Sequence, residues 1–139
     1  MTEYVAEYLA ETDPRWAEHS GEAGHYGAPD WGPQDVARAA AFLAELAPQA
    51  GQMLAYLLRT PGRRVHCTEL VDMALGGPTE AAPAQRVAGV VNGMNKAHGN
   101  SGRRLPFSWW AAPEGNAGAT YAVRPSVAAV FLAAQLGSA

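Results

Sequence analysis

The sequence predicts an α+β fold, mainly α-helical with one small β-hairpin. Three observations carry that prediction. Apolar residues recur at three and four positions through successive segments between Pro33 and Gly99, the spacing of helices that bury one face. Between Leu105 and Val123 the period changes to two, with turn-forming residues in the middle, as paired strands require. Helical spacing then returns after Pro125. At 139 residues, 48% apolar and 17% charged, the chain can bury one core and is too short for two domains of ordinary size.

In chain order, Tyr4, Val5, Tyr8 and Leu9 fall at helical spacing, which predicts a short amphipathic helix from about Glu3 to Glu11 that stops before Pro14. His19 to Gly32 is rich in Gly with little periodicity and reads as loop or linker. Trp16, Tyr26 and Trp31 in this arm point to its lying against the body or a partner subunit. Pro33 suits a first helical turn, and Val36, Ala39, Ala40, Leu43 and Leu46 continue a helix to about Ala47. A second helix starts at Pro48 with Met53, Leu54, Leu57 and Leu58 as its stripe and ends at Thr60-Pro61-Gly62. After Arg63-Arg64 and Val65 comes a short third helix, capped by His66 or Thr68, that turns Leu70, Val71, Ala74 and Leu75 inward and stops at Gly76-Gly77. Pro83 opens a fourth, with Val87, Val90, Val91 and Met94 on one face and Gly99 closing it. The strands are Leu105 to Trp110 and Ala119 to Val123; the last helix puts Val127, Val130, Phe131 and Ala134 on one face.

Charge divides the chain. Residues 1 to 35 carry eight acids and one base, net -7, and the remainder carries nine bases and five acids, net +4, within a total of -3. An acidic arm of residues 1–32 before a basic body of residues 33–139 is compatible with a polyanionic partner. A single cysteine, Cys67, excludes an internal disulfide framework. His66, Cys67 and His98, like His19 and His25, match no zinc spacing, so no metal and no cofactor are expected. Phosphate-loop, dinucleotide-binding and nucleophile-elbow patterns are missing from the sequence, so the expected function is not enzymatic. With no basic-apolar leader and no apolar run near the roughly 18 residues of a membrane span, a cytoplasmic chain is expected.

Helix, short helix, longer helix and hairpin follow one another from about Pro48 to Arg124. The first helix is Met53-Leu54-Ala55-Tyr56-Leu57-Leu58, the short strand and second helix Val65 to Leu75, the third helix Ala84 to His98, and the hairpin Leu105 to Val123. This order resembles the winged helix-turn-helix family, here with a helix added on each side. Arg103-Arg104 leading into Pro106-Phe107-Ser108-Trp109-Trp110 is also similar to small actinobacterial winged-helix proteins of unassigned function. The resemblance implies a sequence-specific protein for double-stranded DNA, a small transcriptional regulator and a homodimer. The link from Gly76 to Ala82 is longer than the three or four residues of the plain motif.

On that reading, the helix from Pro83 to His98 buries its valines and presents Gln85, Arg86, Gly89, Asn92, Asn95 and Lys96. Arg suits guanine, Asn and Gln suit adenine, and Lys suits phosphate; the plain alternative is a solvated polar face or a protein contact. Gly89 and Gly93 each cost about 1 kcal/mol in a helix interior, which close approach of DNA or of another helix would offset. Arg63 and Arg64, with Arg103 and Arg104, would flank this helix as phosphate contacts, or else serve solubility or meet the acidic arm. The hairpin tip, Glu114 to Gly118, carries an acid and is not expected to probe a minor groove. Trp109 and Trp110 must point to opposite faces. Trp109 shares its face with Leu105 and Phe107, leaving Trp110 as a candidate partner-binding residue, exposed or covered by the arm or a second subunit. Ala-rich flanking helices, Val36 to Ala47 and Ser126 to Leu136, suit a dimer seam. The rival reading is a protein-interaction adaptor that uses Trp110 and the arm, and a third is an arm that mimics nucleic acid and covers the basic surface.

Overall fold

The computed structural model describes residues 7–17, 28–111 and 118–137. Tyr4, Val5, His19, His25, Tyr26 and the hairpin tip from Glu114 to Ala117 lie outside them. The fold is α+β: among the described residues, six helices accompany one four-stranded antiparallel sheet. Strand β1 (Glu7–Tyr8) and a 3-10 turn at Pro14–Ala17 precede a second 3-10 turn, Pro33–Asp35, and helices α1 (Val36–Glu45) and α2 (Pro48–Leu58). Then come β2 (Arg63–His66), α3 (Cys67–Met73), α4 (Pro83–Asn92), α5 (Asn95–Ser101), β3 (Ser108–Ala111), β4 (Ala119–Ala122) and α6 (Pro125–Gly137). No helix among the described residues is long and apolar enough to cross a membrane.

Strand order in the sheet is β1-β2-β4-β3. Val65 pairs with Tyr121, and Trp109 and Trp110 pair with Tyr121 and Thr120. Alternation along each strand gives the sheet two different faces. Val65 and Tyr121 belong to the main core, with Trp109 packed against it. Arg64, Thr120 and Trp110 look the other way, with the Arg64 guanidinium 5.2 Å from the Trp110 ring centre and bonded to the Thr120 hydroxyl.

The predicted arm helix does not form over Glu7–Tyr8, which instead pair with Arg64 and Arg63 at the edge of β2. Gly62 explains how the chain can come so close: its φ is +83°, and a Cβ there would stand 2.6 Å from the Leu9 carbonyl oxygen. Trp31, also in the arm by sequence, belongs to the main core, where its ring lies 5.7 Å from Phe42 and 4.7 Å from Phe131. Its indole N–H donates to the Arg104 carbonyl at 2.8 Å, so the ring is buried with its polar atom satisfied.

The helix predicted from Pro83 to Gly99 is two helices. The amide of Gly93 still reaches Gly89, but that of Met94 bonds to Val91 in a tighter turn, and α5 starts at Asn95. Glycine at 93 lowers the local cost of leaving the helix. Met94 and Ala97 are both buried, and α5 packs on α1. His66 caps α3, its Nδ1 accepting from the Thr68 amide at 3.0 Å. Glu69, in the first turn, points inward instead of back to the cap.

Trp31 joins the arm, α1, α6 and the loop before β3. Replacing Trp31 with Ala should therefore cost about 3–5 kcal/mol, as for other large aromatic truncations in cores. Urea unfolding followed by far-UV dichroism measures it, and a loss below about 1 kcal/mol would contradict this placement.

Candidate nucleic-acid interface

The side chains expected to meet DNA divide into two sets. Gln85, Gly89, Asn92, Asn95 and Lys96 are exposed, whereas Val87, Val90 and Met94 are buried. The helix faces are thus as the apolar spacing predicts, with Asn95 and Lys96 standing on α5, beyond the break.

Arg86 does not point free from α4. Its guanidinium donates to the Gly77 carbonyl at 2.9 Å and to the Leu75 carbonyl. It thereby fastens α4 to the turn that follows α3, across the long Gly76–Ala82 link. Both acceptors are neutral, so the positive charge stays on the surface of this region.

The arginine pairs expected at phosphates are held elsewhere. Arg63 makes a two-pronged ion pair with Glu69, at 2.6 and 2.8 Å, and Glu69 also accepts from the Tyr56 hydroxyl at 2.6 Å. Glu69 is 2% exposed, and a buried carboxylate requires such partners. Burial first, and then the Glu69 carboxylate, push the Tyr56 phenol above its ordinary pKa. Arg64 bonds Glu7 at 2.8 Å. Arg103 pairs with Asp35, at 3.0 Å through both Nε and Nη2, and Arg38 approaches the same carboxylate at 3.5 Å. Arg104 donates its amide to Pro29 and its Nε to the Ala28 carbonyl. The expectation that Arg63, Arg64, Arg103 and Arg104 flank a duplex is therefore corrected for the first three by ion pairing, while Arg104 holds the chain leading to Trp31.

Trp110 is 9% exposed. Trp16 covers it at 5.6 Å between ring centres, and its indole N–H donates to the Arg15 carbonyl at 3.1 Å. It is the arm-covered alternative that the structure adopts, so Trp110 presents no open partner surface while the arm is in place. His66 is used as a helix cap with Cys67 Sγ 3.7 Å away, and Cys67 is buried. Burial holds the His98 imidazole below its ordinary pKa, which favours its neutral form.

Two features of this region were not singled out by spacing. From Ala81 to Pro113 the chain holds no Asp or Glu, yet it holds Arg86, Lys96, Arg103 and Arg104. The exposed amides and lysine of α4 and α5 therefore sit on elements with no acid of their own. An open groove of about 360 Å³ also runs between the first turn of α2 and α4, lined by Ala47, Gln49 and Ala50 on one side and Gln85, Arg86, Gly89, Val90 and Gly93 on the other. Nothing lies within 4 Å of where a Gly89 side chain would begin, so this glycine leaves the α4 backbone open to the groove. The N-terminus of α2 has no side-chain cap and borders the same space.

The Arg103–Asp35 pair carries a pH signature. Arg103 first, and then the Gly32 amide, hold the Asp35 carboxyl below its ordinary 3.8. A group with a depressed folded pKa contributes stability that is complete above the unfolded value and is lost as pH falls through the folded one. Asp35→Asn should therefore destabilise the protein at about pH 7, and the gap to the wild type should shrink by about pH 3. Urea denaturation at both pH values measures the gap; an equal difference at the two would show that the carboxylate charge is not what matters.

Comparison with curated proteins yields no match, and none is found among solved structures. A model described as a family of unknown function, DUF6416, matches residues 36–138, which takes in every element from α1 to α6 and leaves the arm outside. The chain belongs to that family.

Proposed function

We propose that this is a winged-helix protein that reads double-stranded DNA with the exposed face of α4 and the start of α5, as a small sequence-specific regulator. The observation that carries the reading is the acid-free stretch from Ala81 to Pro113, on which Gln85, Asn92, Asn95 and Lys96 are exposed. Amides of this kind can pair with base edges, and the lysine can meet phosphate. The order α2, β2, α3, α4 and hairpin, with β2 beside β4 and β3 outside, supports the winged-helix assignment. Gly89 would let a backbone approach closely, and the uncapped start of α2 would offer amides to a phosphate at the groove. A second copy would pack through the outward sides of α1 and α6, where Ala37, Ala41, Ala44, Ala129, Leu132, Ala133 and Leu136 are exposed beside Arg38 and Glu45 of α1.

The internal ion pairs favour a second reading, a protein-interaction adaptor whose partner enters the α2–α4 groove. Salt separates the two. With phosphate contacts drawn from Arg86 and Lys96, about two phosphates are neutralised, and duplex affinity should fall about 12-fold between about 50 and 200 mM salt. The six contacts implied by the arginine-rich sequence would give about 10³-fold. Selection from random duplexes followed by titration is the measurement. Enrichment of a palindrome, loss of affinity in Lys96→Ala and relaxed base preference in Asn92→Ala by about 1–3 kcal/mol are expected. Binding that is flat in salt and unselective for sequence would leave the adaptor.

A further inference from the structure

Residues 7–17 make a strap across the outer face of the sheet. It starts as β1 on the edge of β2, and the Leu9 amide continues the contact to the Gly62 carbonyl at 2.7 Å. Leu9 and Trp16 are 2% and 4% exposed and form, with Trp110 and Ala122, a cluster distinct from the main core. Arg124 donates through Nε and Nη2 to the Glu11 carbonyl, and its Nε lies 2.7 Å from the Glu11 carboxylate. That carboxylate also accepts from the amide and hydroxyl of Ser126 at the first turn of α6. Glu7 meets Arg64 at 2.8 Å.

The two sides of this contact fall on either side of the start of the family match. Every residue that receives the strap lies within the family match of residues 36–138, and the strap lies before it. The receiving surface has a strand edge, an aromatic floor at Trp110, cations at Arg64 and Arg124 and an open helix start at Ser126. Those features recognise an extended acidic segment by backbone pairing and by side chains at fixed intervals, the logic of strand addition. The strap fits with the order Glu-x-Leu-x-Glu-x-x-x-x-Trp, from Glu7 to Trp16.

We propose that the outer face of the sheet, from the β2 edge across Trp110 to the start of α6, is a peptide-docking site. Residues 7–17 occupy it in cis, and it takes an acidic, tryptophan-bearing extended segment of another protein in competition with them. Charge complementarity selects the occupant: the face offers two arginines and a helix N-terminus, and the strap answers with two glutamates. The site does not use α4, so it stands or falls apart from the duplex reading.

A labelled peptide of residues 7–17 added to the full chain tests it by fluorescence anisotropy. Tethering makes the cis strap compete at an effective concentration on the order of mM, so the wild type should bind weakly and the Leu9→Ala/Trp16→Ala chain at least about tenfold more tightly. Adding Trp110→Ala to that chain should abolish the gain, and a peptide of the same composition in scrambled order should not bind. Glu11→Gln, at a half-exposed ion pair, leaves the apolar cluster whole and should raise binding about threefold; it decides the matter if the double variant unfolds. No gain in the variant that folds, equal binding of the scrambled peptide, preference for an oligothymidine over the peptide, or a strap-exchanged dimer that fills the site would each overturn the proposal.

Discussion

A carboxylate taken out of water must take cations or hydrogen-bond donors with it, and that constraint decides which charges are left for function. Asp35 and Glu69 are 3% and 2% exposed, and each holds a guanidinium by two bonds, Arg103 and Arg63 respectively. Leaving either carboxylate buried alone would cost several kcal/mol. Those arginines therefore belong to the fold, tying α3 to the strand before it and the start of α1 to the loop before β3. An interface must be built from what remains, which on α4 and α5 is mostly amide and glycine.

Local patterning carried most of the architecture into view. The starts of α1, α2, α4 and α6 are each marked by a proline at or just before them, and the change from helical to two-residue spacing marks the hairpin. What spacing could not show is where a helix gives way to tertiary packing. An unbroken Pro83–Gly99 helix is consistent with its own apolar stripe, but the packing of α5 on α1 is a long-range demand, and Gly93 is where the backbone yields most cheaply. The two-residue strand β1 is too short to have a period at all, so it was hidden behind the helical spacing of Tyr4, Val5, Tyr8 and Leu9.

The candidate site was legible in its faces and not in its partners. Burial of Val87 and Val90 and exposure of Gln85 and Asn92 follow from amphipathic spacing alone. The partners of the arginines do not, because Arg103 meets a carboxylate 68 positions away and Arg64 one 57 away. A pair of adjacent arginines in a loop has the same sequence appearance whether it awaits a phosphate or is already paired. The informative signal was the location of acids: α4 and α5 carry none, and Gln85, Asn92, Asn95 and Lys96 on them are exposed.

The charge asymmetry has a different meaning once the pairs are known. A first 35 residues of -7 before a remainder of +4 looks like a basic protein with an acidic appendage, and hence like a binder of polyanions. In the folded chain Glu7, Glu11 and Asp35 from those first 35 residues each meet an arginine of the remainder. Much of the asymmetry is thus one molecule's internal complementarity, written along the chain because the strap is sequentially remote from the face it covers. The same complementarity defines what that face can hold: a ligand that displaces the strap must replace its carboxylates, its strand pairing and its tryptophan together, which a bare polyanion does not do.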